Sequence, residues 1–192
     1  MSDQKRLIAF SGLKHSGKST LARLMAQKYK LAFADLDQLI AVAAAKDHPN
    51  LGCPSDYQSL VRKLFRELGK NAFQAYETRA VDEYCQASDS LRILALGGGT
   101  MDNPVAMRII GKHAVTIFLD APFSLLFERI MRGGLPAFLD PADPEGSFRQ
   151  IFDHRRVLGM AQAQSVVSIG NKNIEDSLDA ITPSIKEIIH GR

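Results

Sequence analysis

The first residues in this chain able to do chemistry are a lysine, a serine and a threonine set behind glycines. They close the run Gly12-Leu13-Lys14-His15-Ser16-Gly17-Lys18-Ser19-Thr20, which fits the pattern G-x-x-x-x-G-K-[ST]. Glycines let the backbone turn and bring its N–H groups close to phosphate oxygens. A helix starting near Lys18 aims its positive end at the same anion. In this pattern the lysine reaches the β/γ-phosphates and the serine hydroxyl ligates Mg²⁺. Gly12, His15, Ser16, Gly17, Lys18, Ser19 and Thr20 are therefore candidate nucleotide-binding residues. The plain alternative is a glycine-rich turn before an ordinary helix. The apolar run Leu7–Phe10 before it and the helical spacing of Leu21, Leu24 and Met25 after it favour the phosphate loop.

Asp35 and Asp37 form a second group. Two carboxylates one residue apart, at the end of an apolar run, can hold Mg²⁺ through water and orient or deprotonate a hydroxyl. They equally suit a helix N-cap with a partner for the helix dipole. Gly97-Gly98-Gly99 follows a third apolar run, where three glycines make sense if backbone must approach a ligand closely. Asp120 ends the run Val115–Leu119 and reads as the cap of a helix that Pro122 enters, since Asp35 already offers a metal carboxylate. Arg129 and Arg132 flank a breaker-rich segment, and a guanidinium there can meet a transferring phosphoryl group or simply face solvent. Arg155 and Arg156 can grip a carboxylate in bidentate fashion or serve as surface charge. None of the five histidines has a partner at ligand or triad spacing.

The elements that must carry these residues alternate. Strands are predicted over 7–11, 31–34, 91–96, 114–119 and 165–169. Helices are predicted over 18–28, 38–45, a leucine-faced stretch ending at Gly69, a second stretch through Phe73 and Tyr84, then 104 onward, 122–131, 147–164 and 174–189. In the leucine-faced stretch, Leu60, Leu64 and Leu68 form the face, with Val61 and Phe65 beside them. Alternation of this kind indicates an α/β fold with a five-stranded parallel sheet between helix layers, forming one domain over residues 1–192. Ligands of such sheets sit at the carboxyl ends of the strands, where every candidate above falls. Residues from about 132 to 146 contain three glycines and three prolines and read as a lid that closes over bound ligand.

Bulk properties narrow the classes. The chain has 192 residues, 45% hydrophobic and 23% charged, as expected of a globular protein with a sizeable core. A net charge of +3 is too small to argue for nucleic acid. No apolar run approaches a membrane span, and the N-terminus lacks a signal-peptide shape. Cys53 and Cys85 form no spaced metal or redox motif and read as free thiols in a reducing cytoplasm. No N-K-x-D stretch for reading guanine is present, since Asn171-Lys172-Asn173 is followed by Ile174.

Taken in order, the pieces resemble the shikimate kinase family over nearly the whole chain. They are the Gly12–Thr20 loop, Phe33-Ala34-Asp35-Leu36-Asp37, the Phe65…Gly69…Phe73…Glu77 stretch, Leu96-Gly97-Gly98-Gly99, the Val115–Leu119 strand and Arg155-x-x-Leu158. The resemblance implies a P-loop NTPase fold of nucleoside-monophosphate-kinase type and transfer of the ATP γ-phosphoryl to shikimate, in a cytoplasmic monomer. It implies Asp35 beside Mg²⁺, Asp37 on the acceptor hydroxyls, Gly97–Gly99 lining the acceptor pocket and Arg155 on its carboxylate. Lys18 and Arg132 would assist transfer, with Arg129 near the nucleotide. The chain departs from the family at Lys70 and Gln74, where G-E-x-x-F-R is usual, and at Leu135, where the lid arginine is usual. Gln74 thus replaces a carboxylate-binding arginine. Two alternatives stay open, a different polyol or sugar-acid acceptor and a non-catalytic nucleotide-binding regulator.

Overall fold

The computed structural model describes residues 5–52, 54–88, 90–132, 134–135, 138–170 and 173–190. Five short strands form one all-parallel sheet: β1 (Leu7–Ser11), β2 (Ala32–Asp35), β3 (Arg92–Ala95), β4 (Ala114–Asp120) and β5 (Ser165–Ser168), in the order β2-β3-β1-β4-β5. Seven α-helices connect and cover them: α1 (Lys18–Tyr29), α2 (Leu36–Asp47), α3 (Tyr57–Gln86), α4 (Pro104–His113), α5 (Phe123–Met131), α6 (Pro144–Gln162) and α7 (Ile174–His190). β1 lies at the centre, Phe10 pairing with Ala95 on one side and Ile117 on the other.

Because β1 is buried on both faces, it reads as a continuous apolar run. Its side chains alternate between two cores. Ile8 and Phe10 pack with α1, α5, α6 and α7, whereas Leu7 and Ala9 pack with α2, α3 and α4. The result is the expected three-layer α/β/α arrangement.

Local signals account for most boundaries. Asn103 caps α4, its Oδ1 accepting from Ala106 N at 3.2 Å, and Pro104 takes the first helical position. Asp56 caps α3 through Ser59 N. The predicted stop at Gly69 appears as a kink inside α3, where Gly69 adopts φ 79°. That positive φ suits glycine, and on either side of the kink α3 packs in one core, through Leu60 and Leu64 before it and Ala80 and Val81 after it. Buried Arg92 donates to the carbonyls of Tyr84, Cys85 and Ser88, binding the end of α3 to β3.

Some expectations are corrected. The helix after the lid begins at Pro144, three residues before Ser147, because Asp143 caps it through Gly146 N at 2.9 Å. Leu60 and Leu64 are buried, but Phe65 and Leu68 of the same predicted face are exposed, since the kink ends that stripe's contact with the core. Asp120 does not cap α5, whose N-cap is Pro122 with no side-chain bond. It instead accepts two 2.8 Å hydrogen bonds from Arg156 Nε and Nη2, tying α6 to the end of β4. Cys53, Asn171 and Lys172, named above, and Gly133, Pro136 and Ala137 of the expected lid lie outside the described residues.

α6 reaches the sheet through Gly159. A Cβ there would stand 2.1 Å from the Phe118 ring on β4. Gly159→Ala is therefore expected to destabilise the fold by about 1–3 kcal/mol through overpacking, read as a lower urea midpoint at unchanged slope.

Candidate active site

The strand ends bring four segments together at one edge of the sheet. The first is the loop after β1. Gly17 takes φ 87° as the N-cap of α1, placing Lys18 and Ser19 on the helix's first turn. His15, with φ 65°, is one of two non-glycine residues with positive φ among those described. Lys18 is buried, and its ammonium donates to Leu13 O at 2.8 Å. Ser16 Oγ is buried and makes no hydrogen bond among the described residues. An anion oxygen in the loop would satisfy that orphan hydroxyl. Thr20 follows on the first turn of α1 with its side chain exposed.

The second segment joins β2 to α2. Asp35 fills the capping role read for it. Its Oδ1 accepts from Asp37 N at 3.0 Å as the cap of α2, and its buried carboxylate interacts with Lys18. Asp37, in the first helical turn, is pushed above the usual carboxylate range. Burial is the main cause, Asp35 adds to it, and Lys18 and Lys14 oppose it. A carboxylate so raised is better matched to accepting a proton near neutral pH.

The third segment is the glycine loop after β3. A Cβ on Gly98 would lie 2.9 Å from Lys14 N, so the two loops touch backbone to backbone. A Cβ on Gly97 would meet Asp37 Oδ1 at 3.2 Å. Behind the loop, Glu77 of α3 is buried, accepting from Thr100 Oγ1 at 2.7 Å and Asn103 Nδ2 at 2.9 Å. Burial raises its pKa against those two donors. Gln74, one turn earlier, donates from Nε2 to Asp102 O at 3.1 Å.

The fourth segment brings arginines. Arg155 of α6 binds Asp102 Oδ2 through Nε at 2.9 Å and Gly98 O through Nη1 at 3.2 Å, and would abut any side chain at Gly99. Asp102 also lies 3.2 Å from His154 Nε2. Arg129 of α5 donates to His15 O at 3.0 Å, so it touches the phosphate loop directly. Arg132 does not come to the site. It is exposed and ion-paired with Glu128 one turn back on its own helix. Leu135 is exposed, as is Lys70 on α3.

The sequence reading thus assembled the two loops, both aspartates, Arg129 and Arg155, and misjudged where Arg132 lies. It passed over Thr100 and Asp102, read Asn103 only as opening a helix with Pro104, and noted Glu77 only for its place in the family pattern. The signal was available, since Thr100-Met101-Asp102-Asn103 sets polar residues directly behind three glycines.

Among the described residues no cluster of three His, Cys, Asp or Glu side chains could hold a metal by itself. One hydroxyl and two nearby carboxylates, all hard oxygen donors, nevertheless suit Mg²⁺ carried in on nucleotide phosphates, which commonly keeps several waters.

A parallel sheet with a phosphate loop after its central strand and a carboxylate pair where β2 meets α2 defines a P-loop phosphotransferase of the nucleoside-monophosphate-kinase type. Comparison with known proteins narrows the class. The shikimate kinase family model matches residues 14–186, and the chain belongs to that family. It is 24% identical over 180 residues to the shikimate kinase of Ruegeria pomeroyi, covering 94% of this chain and 85% of the relative. It is 28% identical over 186 residues to that of Prochlorococcus marinus, covering 96% and 89%. The shikimate kinase of Acinetobacter baumannii, solved in complex with shikimate, superimposes with a TM-score of 0.77 at 20% identity, over 99% of this chain and 96% of that one. The Aquifex aeolicus enzyme gives 0.70 at 20% identity, over 97% and 99%.

Burial lowers the pKa of Lys18 to about 8, although Asp37 and Asp35 pull it upward. The charged form binds phosphate. Nucleotide affinity should therefore be flat with pH below about 8 and fall by up to tenfold per unit above it, as the protein must take up a proton to bind. Calorimetry at about pH 9 in two buffers of different ionisation enthalpy should detect that uptake.

Proposed function

We propose that this chain transfers the γ-phosphoryl group of Mg-ATP to a hydroxyl of shikimate, giving shikimate 3-phosphate. Family membership supports the reaction class and the use of ATP. The observation that carries the acceptor reading is the convergence of Asp37, Gly97 and Arg155 on one edge beside Lys18.

Ser19 and Asp35 would hold Mg²⁺, which when bound neutralises charge on the phosphate oxygens. The phosphate loop fixes the triphosphate, its amides and Lys18 facing the β/γ end. Asp37 orients the attacking hydroxyl and receives its proton. A bond forms from that oxygen to phosphorus as the bond to the ADP oxygen breaks. Glu77, Thr100 and Asn103 brace the glycine loop from behind, so the loop meets the acceptor as fixed backbone. Arg155, held at Gly98 and Asp102, offers its guanidinium to the acceptor's carboxylate. Positioning and electrostatics make up nearly all of the catalysis. The reading includes a cytoplasmic monomer acting on a small molecule; among the described residues no helix is long and apolar enough to cross a membrane.

Gln74 favours a second acceptor class. Its amide is committed to a backbone carbonyl, so the site keeps one of two arginines suited to a carboxylate. A hydroxylated acceptor of different shape or lower negative charge fits that change.

Coupled ADP release with Mg-ATP, with and without shikimate to several millimolar, tests the assignment. Shikimate-dependent turnover is expected, and Asp37→Asn should lower kcat by about a hundredfold or more. Nucleotide binding with no stimulation by shikimate would overturn the acceptor and direct the assay to other hydroxy acids and sugars.

A further inference from the structure

Beyond Arg132, the segment that leads from α5 to α6 reads Gly-Gly-Leu-Pro-Ala-Phe-Leu-Asp-Pro-Ala-Asp over residues 133–143 and contains no lysine or arginine. A phosphoryl group in transit needs cations around its equatorial oxygens. This stretch supplies none. Of the arginines at its edge, Arg132 turns outward to Glu128 and Arg129 is bound to His15 O.

One further cation stands at the right place. Lys14 lies within the phosphate loop, its backbone against Gly98 of the acceptor-side loop. Its ammonium sits 5.8 Å from the centre of the Phe138 ring, so a lid residue already reaches it. It interacts electrostatically with both Lys18 on the nucleotide side and Asp37 on the acceptor side. Arg62 of α3 repels it from behind. Its charge therefore acts on both the group that holds the triphosphate and the group that holds the hydroxyl, the two between which the phosphoryl moves.

We propose that Lys14 is a catalytic residue that neutralises the transferring phosphoryl group, supplying from the phosphate loop the charge that the lid of this chain lacks. The inference rests on the phosphotransferase reading above and adds a residue to it. During transfer Lys14 keeps its proton. The acceptor oxygen bonds to phosphorus, the electron pair of the breaking bond leaves on ADP, and the hydroxyl proton passes to Asp37. The face of the Phe138 ring, 5.8 Å away, holds the ammonium on the side of the lid.

The test compares the wild-type chain, Lys14→Met and Lys14→Met with Leu135→Arg. Acceptor-dependent turnover, slow ATP hydrolysis without acceptor, and ATP affinity are measured for each. Loss of at least about a hundredfold in kcat is expected for Lys14→Met, with acceptor KM and ATP Kd within about threefold. Hydrolysis without acceptor should fall in parallel, because the same charge develops when water attacks. Leu135→Arg, at an exposed lid position, should return at least tenfold of the lost rate. An unchanged kcat would overturn the proposal. So would an effect confined to acceptor KM, which would make Lys14 a ligand of the acceptor's carboxylate, or one confined to ATP Kd. If the wild-type chain ignores shikimate, the acceptor assignment fails by itself, and the hydrolysis rates still decide the role of Lys14.

Discussion

A buried lysine ammonium at the end of the central strand is the constraint around which this edge of the molecule is built. Lys18 is held out of water by the very packing that makes β1 a core strand, and burial weakens its hold on its proton. A charge in such a place has to be answered. Leu13 O, Asp35 and Asp37 answer it from two directions. Asp35 can do so because it also caps α2, which fixes its position without further side-chain support. The geometry that steadies the lysine before nucleotide arrives is the geometry that sets an acceptor carboxylate beside it. Stability of the site and readiness for chemistry come from the same three groups.

The second loop obeys a different rule. Gly98 lies so close to the Lys14 backbone that any side chain would part the two loops. Glu77 holds the far side of this loop through Thr100 and Asn103, and Arg155 holds the near side through the Gly98 carbonyl. The acceptor edge is thus organised by backbone contact and buried hydrogen bonds. Gln74 joins that scaffold through its bond to Asp102 O and brings no charge to it. Selectivity can shift here without disturbing the nucleotide side.

The parts legible in the sequence were those fixed by local rules. Strand–loop–helix spacing located the phosphate loop, Asn103-Pro104 located α4, and five apolar runs gave the parallel sheet. What escaped were residues whose roles depend on partners distant in sequence. Asp120 looks like a cap until Arg156, on a helix that follows the lid, is found beside it. Arg132 looks like a lid cation until Glu128, one turn away on its own helix, claims it. Phe65 and Leu68 keep the helical period, yet the kink at Gly69 decides that their face does not stay against the core. Periodicity reports that a face exists, and only packing reports how far along the helix it is used.

The clasp between Arg156 and Asp120, together with the fit of Gly159 against Phe118, fastens α6 to the sheet. α5 is fastened to α6 in turn by ring contacts, Phe127 stacked on Phe148 and Phe123 edge-to-face with Phe152. The connection between them therefore has both ends anchored, and its reach is bounded by contour length. Twelve residues extend to at most roughly 40–43 Å. Insertions or deletions in this stretch would alter how far the cover can travel while leaving its hinges where they are. Variation in its length among related chains would then adjust the size of the molecule that can be enclosed, independently of the groups that react with it.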